Sequence, residues 1–350
     1  MAARGDTTPA SELPEGFDEH YHTVIGPELD RAEGQRRAAM WRMALLCAAI
    51  LLDLMAMMWF SDRNIDNTLV LLIGVAVAAL PAWGIVLTYQ HMRRLAKAAL
   101  VEPTCHFLGY EYSPSAADFP LHRFYDLRLL RRREYKTRTR TEDEIRGTHN
   151  GVPFRLCEVE IKDKRQRKND DDNDSKKTNI LFRGILFITE FPHPFSGETR
   201  LLNAADPMPK TTLDGTSMES VHLEGSGFSQ GLHIYSSDPT QARSLLTPAF
   251  MNRLEHLTAH FSHTPKLPEE VSEIEQSPLF QKLKSLTNTV SVAFVDQQML
   301  ISIRTGENRF EGGSVFKSLK NRDRVEKLLV ELRVVPEILD ALELESSQFG

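Results

Sequence analysis

The chain has 350 residues, of which 41% are hydrophobic and 26% charged, with a formal net charge of −6 and only three cysteines. These values exclude a collagen, a disulfide scaffold and a chain that is disordered throughout. The mean hydropathy of −0.32 describes a soluble protein, but the apolar residues are concentrated between Met43 and Leu87, so the remainder is more polar than the mean.

Residues 17–37 carry Phe17, Tyr21, Val24, Ile25 and Leu29 at helical spacing, and Gly26-Pro27 is expected to break this lead-in helix into two pieces. Two spans follow, at about 43–60 and 69–89. The first is interrupted by one charge, Asp53, and the second is uncharged from Leu69 to Leu87. Each is long enough to cross about 30 Å of hydrocarbon. Arg31, Arg36, Arg37 and Arg42 precede the pair and Arg93, Arg94 and Lys97 follow it, while the connecting SDRNIDN holds one Arg against two Asp. Positive charge stays inside, so both termini are expected in the cytoplasm. On that side Cys105 and Cys157 should be reduced thiols. Ala44 and Ala48, and Gly74, Ala78 and Ala82, recur every four residues and would let the two backbones approach.

Asp53 is the intramembrane polar candidate. A carboxylate at mid-bilayer is costly, and the second span supplies no basic partner. A tolerated charge, a contact with another chain and a proton relay are its three readings. Past the spans, Glu102-Pro103 is expected to stop the second helix near Leu100.

From Arg123 to Arg140 there are eight Lys or Arg against Asp126 and Glu134, in a chain that is acidic overall. Arg128, Arg131, Arg132, Arg133, Lys136, Arg138 and Arg140 are the candidates to meet anionic lipid headgroups or a protein partner; a solvated linker competes equally. Nucleic acid is not expected, because few aromatics interleave with the charges.

Beyond residue 140 the pattern alternates. Asn150-Gly151 predicts a hairpin between strands at about 142–148 and 153–162, and ILFRGILFITEF, apolar on both faces, predicts a central strand. KDKRQRKNDDDNDSKK between them reads as a solvated loop and lacks the Gly and distal Glu of a calcium loop. Shorter strands are expected at 199–202, 220–224 and 232–235. Asp238-Pro239 and Thr247-Pro248 start helices, TVSVAFVDQQMLISIRT is a hairpin turning at 296–298, and a final helix runs from Arg322 to about Leu344. The fold class is therefore α+β: a two-helix transmembrane hairpin followed by a cytoplasmic, mainly antiparallel sheet domain with flanking helices. The organisation reads as a lead-in (1–39), the hairpin (40–90), a juxtamembrane helix and basic connector (91–141) and the sheet domain (142–350).

Known chemistry is scarce. His256, His260 and His263 lack the Glu that a zinc protease helix needs after its first His, and EGSGFSQG has Gln230 where a dinucleotide fingerprint needs Gly. No catalytic, cofactor-binding or metal-binding residue is assigned. The stretches LFRGILFITEFPHPFSGETRLL, IYSSDPTQARSLLTPAFMNRLEHL, VSVAFVDQQMLISIRT and RFEGGSVFKSL, with the two-span layout, resemble a bacterial family of two-span membrane proteins, the domain-of-unknown-function family 3137. The resemblance implies the bacterial cytoplasmic (inner) membrane and supplies no catalytic residues. The expected role is binding, as a scaffold or regulatory protein with a protein partner or a second copy in the bilayer. The alternatives are a membrane-associated enzyme and an accessory transport subunit using Asp53.

Overall fold

The computed structural model describes residues 14–61, 67–131, 137–163, 180–190, 195–203, 208–223, 232–261, 290–305, 318–332, 336 and 339–340. The chain divides into two compact units, Met1–Leu108 with Phe310–Val330, and Gly109–Arg309 with Glu331–Gly350.

The first unit is built on two long helices. A short helix α1 (Phe17–His20) passes through a π-turn (Tyr21–Ile25) into α2 (Gly26–Ser61), and α3 (Asn67–Phe107) returns beside it. Gly26-Pro27 therefore does not break the lead-in helix. The Gly26 N–H bonds to the Tyr21 carbonyl five residues back, and a Cβ at position 26 would lie 3.1 Å from that oxygen. Pro103 likewise sits inside α3 and does not end it. It forfeits only its own helical donor, and the last turn is held by Phe107, whose ring lies 5.6 Å from Phe17.

Along α2 from Arg36 onward the residues shielded from solvent are Arg36, Ala39, Met43, Leu46, Ile50, Asp53 and Met57, and along α3 they include Gly74, Ala78, Pro81, Ile85, Thr88 and Met92. Alternating steps of three and four define one narrow seam. Gly74 is needed there, because a Cβ on it would fall 2.1 Å from Met57 Sδ; Gly84 is packed similarly by Leu46. Ala44, Ala48 and Ala82 are exposed, so the small residues at four-residue spacing are not, as a set, the contact stripe. The apolar stretches are bare outside the seam: the most apolar 18-residue windows of the two helices are 0% and 6% buried, and Trp41 is 74% exposed. Both helices are long and apolar enough to cross a membrane.

The second unit is a nine-stranded antiparallel sheet. Its strands are β1 (Glu111–Ser115), β2 (Thr137–His149), β3 (Val152–Asp163), β4 (Ile180–Glu190), β5 (Thr199–Asn203), β6 (Glu219–Val221), β7 (Leu232–Ser236), β8 (Val290–Val295) and β9 (Gln298–Arg304), in the order β1-β2-β3-β4-β9-β8-β5-β7-β6. The expected central strand is β4, between β3 and β9. Both predicted tight hairpins have two-residue turns with positive φ at each position: Asn150 (49°) with Gly151 (82°), and Asp296 (52°) with Gln297 (59°). Gln298 is already in β9, so the second turn is one residue shorter than expected.

Helix α4 (Leu121–Asp126) and the chain around it cover one face of the sheet, where Phe119, Phe124, Leu127 and Leu130 join Cys157, Val159, Ile161, Phe182 and Leu186. After β7 come α5 (Pro239–Leu245), with Asp238 accepting from the Thr240 and Gln241 N–H groups at its N-cap, and α6 (Pro248–Phe261). Phe250 of α6 packs on Phe294, which points to the other face. The final helix α7 (Arg322–Leu332) falls mostly in the first unit. The architecture is α+β.

Candidate functional site

The first locus is the seam at Asp53. Met57 packs on Gly74 and Leu46 on Gly84, a register that sets Asp53 opposite about Ala78, which has no polar group to offer. Asp53 Oδ2 is buried with no hydrogen-bond partner among the described residues.

The second locus lies where α2 precedes the first span. Glu33 is 2% exposed and Arg36 8%. Glu33 accepts from Arg36 Nε at 2.8 Å and Nη2 at 2.7 Å, from Arg37 Nε at 3.2 Å and from the Leu319 backbone N–H at 3.1 Å. The hydrogen bond from Arg36 holds the Glu33 carboxyl down at about 2, against the upward push of burial. Two further pairs join the same segments: Lys320 with Asp30 at 2.6 Å, and Arg322 with Asp18. Arg322 also lies over the Phe17 and Tyr21 rings, at 5.8 and 5.3 Å. Together these contacts clamp residues 319–322 to the lead-in helix and its π-turn. The sequence signalled half of this clamp, as a Glu-Arg pair three apart on one helix turn; Leu319, nearly 300 residues away, left no local trace.

The third locus is the basic tract. Arg128 is exposed in the turn after α4, with φ of 61°, and Arg131 is exposed just beyond it. Arg132, Arg133 and Lys136 lie outside the described residues. Arg138 and Arg140 stand on β2, which begins at Thr137, five residues earlier than the alternation predicts. Of the tract's first residues, Arg123 is engaged by the β8–β9 turn, donating to Gln298 and to Asp296, 3.0 Å away. Among the described residues, the tract's cations are thus divided between α4 with the turn after it and strand β2.

A fourth locus was not anticipated. Between Glu142 and Ile145 the β2–β3 register shifts, and Asp143, at φ 53°, and Glu144 turn inward, each 1% exposed. Tyr112 donates to Asp143 Oδ1 at 2.7 Å. Arg155 Nε (2.8 Å) and Arg146 Nη2 (2.7 Å) donate to Glu144. Burial raises the Glu144 carboxyl, but these two guanidinium bonds outweigh it and leave the group below the usual range. Burial pushes the neighbouring Cys157 thiol well up, with Glu144 adding to the effect. A bulge with an acid pair inside a charged strand has no sequence signature beyond TEDE.

Among the described residues no three His, Cys, Asp or Glu side chains converge as metal ligands. The side chains of His256, His260 and His263, the loop 164–179 and the Gly-rich stretch 224–231 lie outside the described residues.

No curated protein matches the chain. Among solved structures, the chain is similar to the crystal structure of the mycobacterial trehalose monomycolate transport factor A, TtfA, at 11% identity over 68% of this chain and 96% of that one, with a TM-score of 0.30. That likeness is too slight to argue from. Residues 180–268 and 276–344 match the model of a family described as protein of unknown function, DUF3137. They take in the central strand, α5, α6, the β8–β9 hairpin and α7, and over these residues the chain matches the DUF3137 family.

Proposed function

We propose that this chain is a membrane-anchored binding protein, a scaffold or regulatory subunit of the bacterial cytoplasmic membrane with both termini and the sheet domain in the cytoplasm. The observation that carries this reading is the bare apolar surface of α2 and α3. A single seam between two helices leaves most of each circumference to lipid or to another membrane helix. The orientation follows from the arginines and lysine that flank the pair. Labelling with a membrane-impermeant maleimide tests it. In a Cys47→Ala background, Asn64→Cys is expected to react in intact cells and Ser220→Cys only after lysis. The reverse pattern would overturn the topology.

Asp53 supports a second reading, an accessory subunit of a transport assembly. Its Oδ2 is shut into the seam with no hydrogen bond among the described residues, so water or a polar group from another chain would satisfy it. On this reading Asp53→Leu abolishes cross-linking of the chain to its neighbours in native membranes while leaving it inserted. Unchanged cross-links would remove it.

A further inference from the structure

The face of the sheet that carries Phe187 and Phe294 changes character where β2, β3 and β4 meet. Cross-strand pairing sets the residues there in rows. Arg138 faces Lys162, and Lys162 faces Ile180; one step further in, Arg140 faces Glu160, and Glu160 faces Arg183. Residues directly opposite on neighbouring strands project to the same side, so these six side chains form one surface. Its charges do not cancel. Glu160 is shared by Lys162, at 2.6 Å, and Arg183, and Arg140 is taken by Glu142. Arg138 is exposed, with no ion-pair or hydrogen-bond partner among the described residues. It sits directly across from another cation, an arrangement that destabilises a ladder unless an anion lies between the two. Beside them Ile180 is 42% exposed.

We infer that this end of the sheet binds the phosphate of an anionic lipid headgroup, with Arg138 and Lys162 as the two donors and Ile180 against the apolar layer beneath. Two unlike charges with a shared acid would bind little. Two like charges face to face are relieved by a phosphate oxygen accepting from both. The exposed Ile180 selects lipid over a free phosphate, because a soluble anion makes no use of an apolar neighbour, whereas the interface of a bilayer takes cationic heads and apolar tips together. The site does not depend on the whole arginine tract: Lys162 comes from another strand, and Arg123 is engaged elsewhere. The inference rests on the reading of the chain as membrane-anchored.

The test uses the full chain, Cys47→Ala, with Ile180→Cys carrying an environment-sensitive dye, reconstituted in nanodiscs of phosphatidylcholine with or without 30% phosphatidylglycerol. The expected result is a blue shift only with phosphatidylglycerol. It should fall by at least two-thirds in Arg138→Gln with Lys162→Gln, survive in Arg138→Lys, and be lost at high salt. An equal shift in pure phosphatidylcholine would show apolar contact without phosphate recognition and overturn the inference. So would no shift in either disc, or a shift produced in phosphatidylcholine discs by soluble glycerol phosphate. A chain that fails to enter discs would defeat the anchor reading instead, an outcome separate from insertion without a shift.

Discussion

Replacing Glu33 by Ala is expected to destabilise the first unit by about 3–5 kcal/mol, the usual cost of removing one partner of a buried ion pair. The loss is large because Arg36, 8% exposed, would lose the carboxylate that accepts from both its Nε and Nη2, and the Leu319 N–H would lose its acceptor. Glu33→Gln keeps an acceptor for that N–H and should cost less. Thermal unfolding of the full chain in nanodiscs, with protease cleavage around residues 318–322 as the local readout, measures both. A change below about 1 kcal/mol for Glu33→Ala would show the clamp to be ornamental. The same group fixes a pH dependence. Its carboxyl is lowered in the folded chain to about 2 from 4.5, so its contribution is complete above pH 4.5 and is lost as pH falls from there towards 2, roughly 3 kcal/mol in all. The clamp is therefore at full strength throughout the neutral range, and in Glu33→Ala this acid-dependent component should vanish.

Gly184→Ala should be equally damaging to the second unit. A Cβ at position 184 would lie 1.9 Å from the Ile303 carbonyl oxygen and 2.9 Å from the Arg304 Cα. Both are backbone atoms of β9, which cannot move without breaking the β4–β9 ladder in the middle of the sheet. The expected cost is about 3 kcal/mol, in the range of severe overpacking, seen as a lowered unfolding midpoint and poor yield. Gly34→Ala is the contrasting change: nothing lies within 4 Å of its Cβ, and in a helix interior it should stabilise by about 1 kcal/mol. Equal midpoints for Gly184→Ala and the parent would mean that the strands separate at no cost, against the close approach seen here.

Features encoded within a few residues were legible in the sequence. The two apolar helices, the Asn150-Gly151 hairpin, β4 as an interior strand and the Asp238-Pro239 helix start all follow from local pattern and turn chemistry. Three kinds of feature were not. Strand β1 and helix α4 are too short and too polar to show periodicity, and exist because the sheet edge and the Phe124 side of the core need them. Prolines at 27 and 103 read as breaks because their local penalty is real, yet tertiary packing of the helices on either side outweighs it. The basic tract reads as one patch in one dimension; the fold ties Arg123 to the β8–β9 turn, raises Arg138 and Arg140 on a strand and adds Lys162 and Arg183 from elsewhere. Which charges stand side by side on that surface is decided by cross-strand pairing, which sequence order conceals.

The π-turn at Tyr21–Ile25 has a consequence for helix phase. Phe17 and Leu29 are both buried, yet twelve residues of uninterrupted α-helix would leave them about 120° apart around the axis. The wider turn takes up one residue and brings them to within about 20° of a common line. The turn thus acts as a vernier. It lets a lead-in whose apolar residues come every four positions run in phase with a seam whose steps alternate between three and four, so that one unbroken rod serves two different spacings. Deleting a residue within 21–25 would relax the turn to α-helix and leave the phase intact, whereas adding one would rotate Phe17 and its partners away from Arg322.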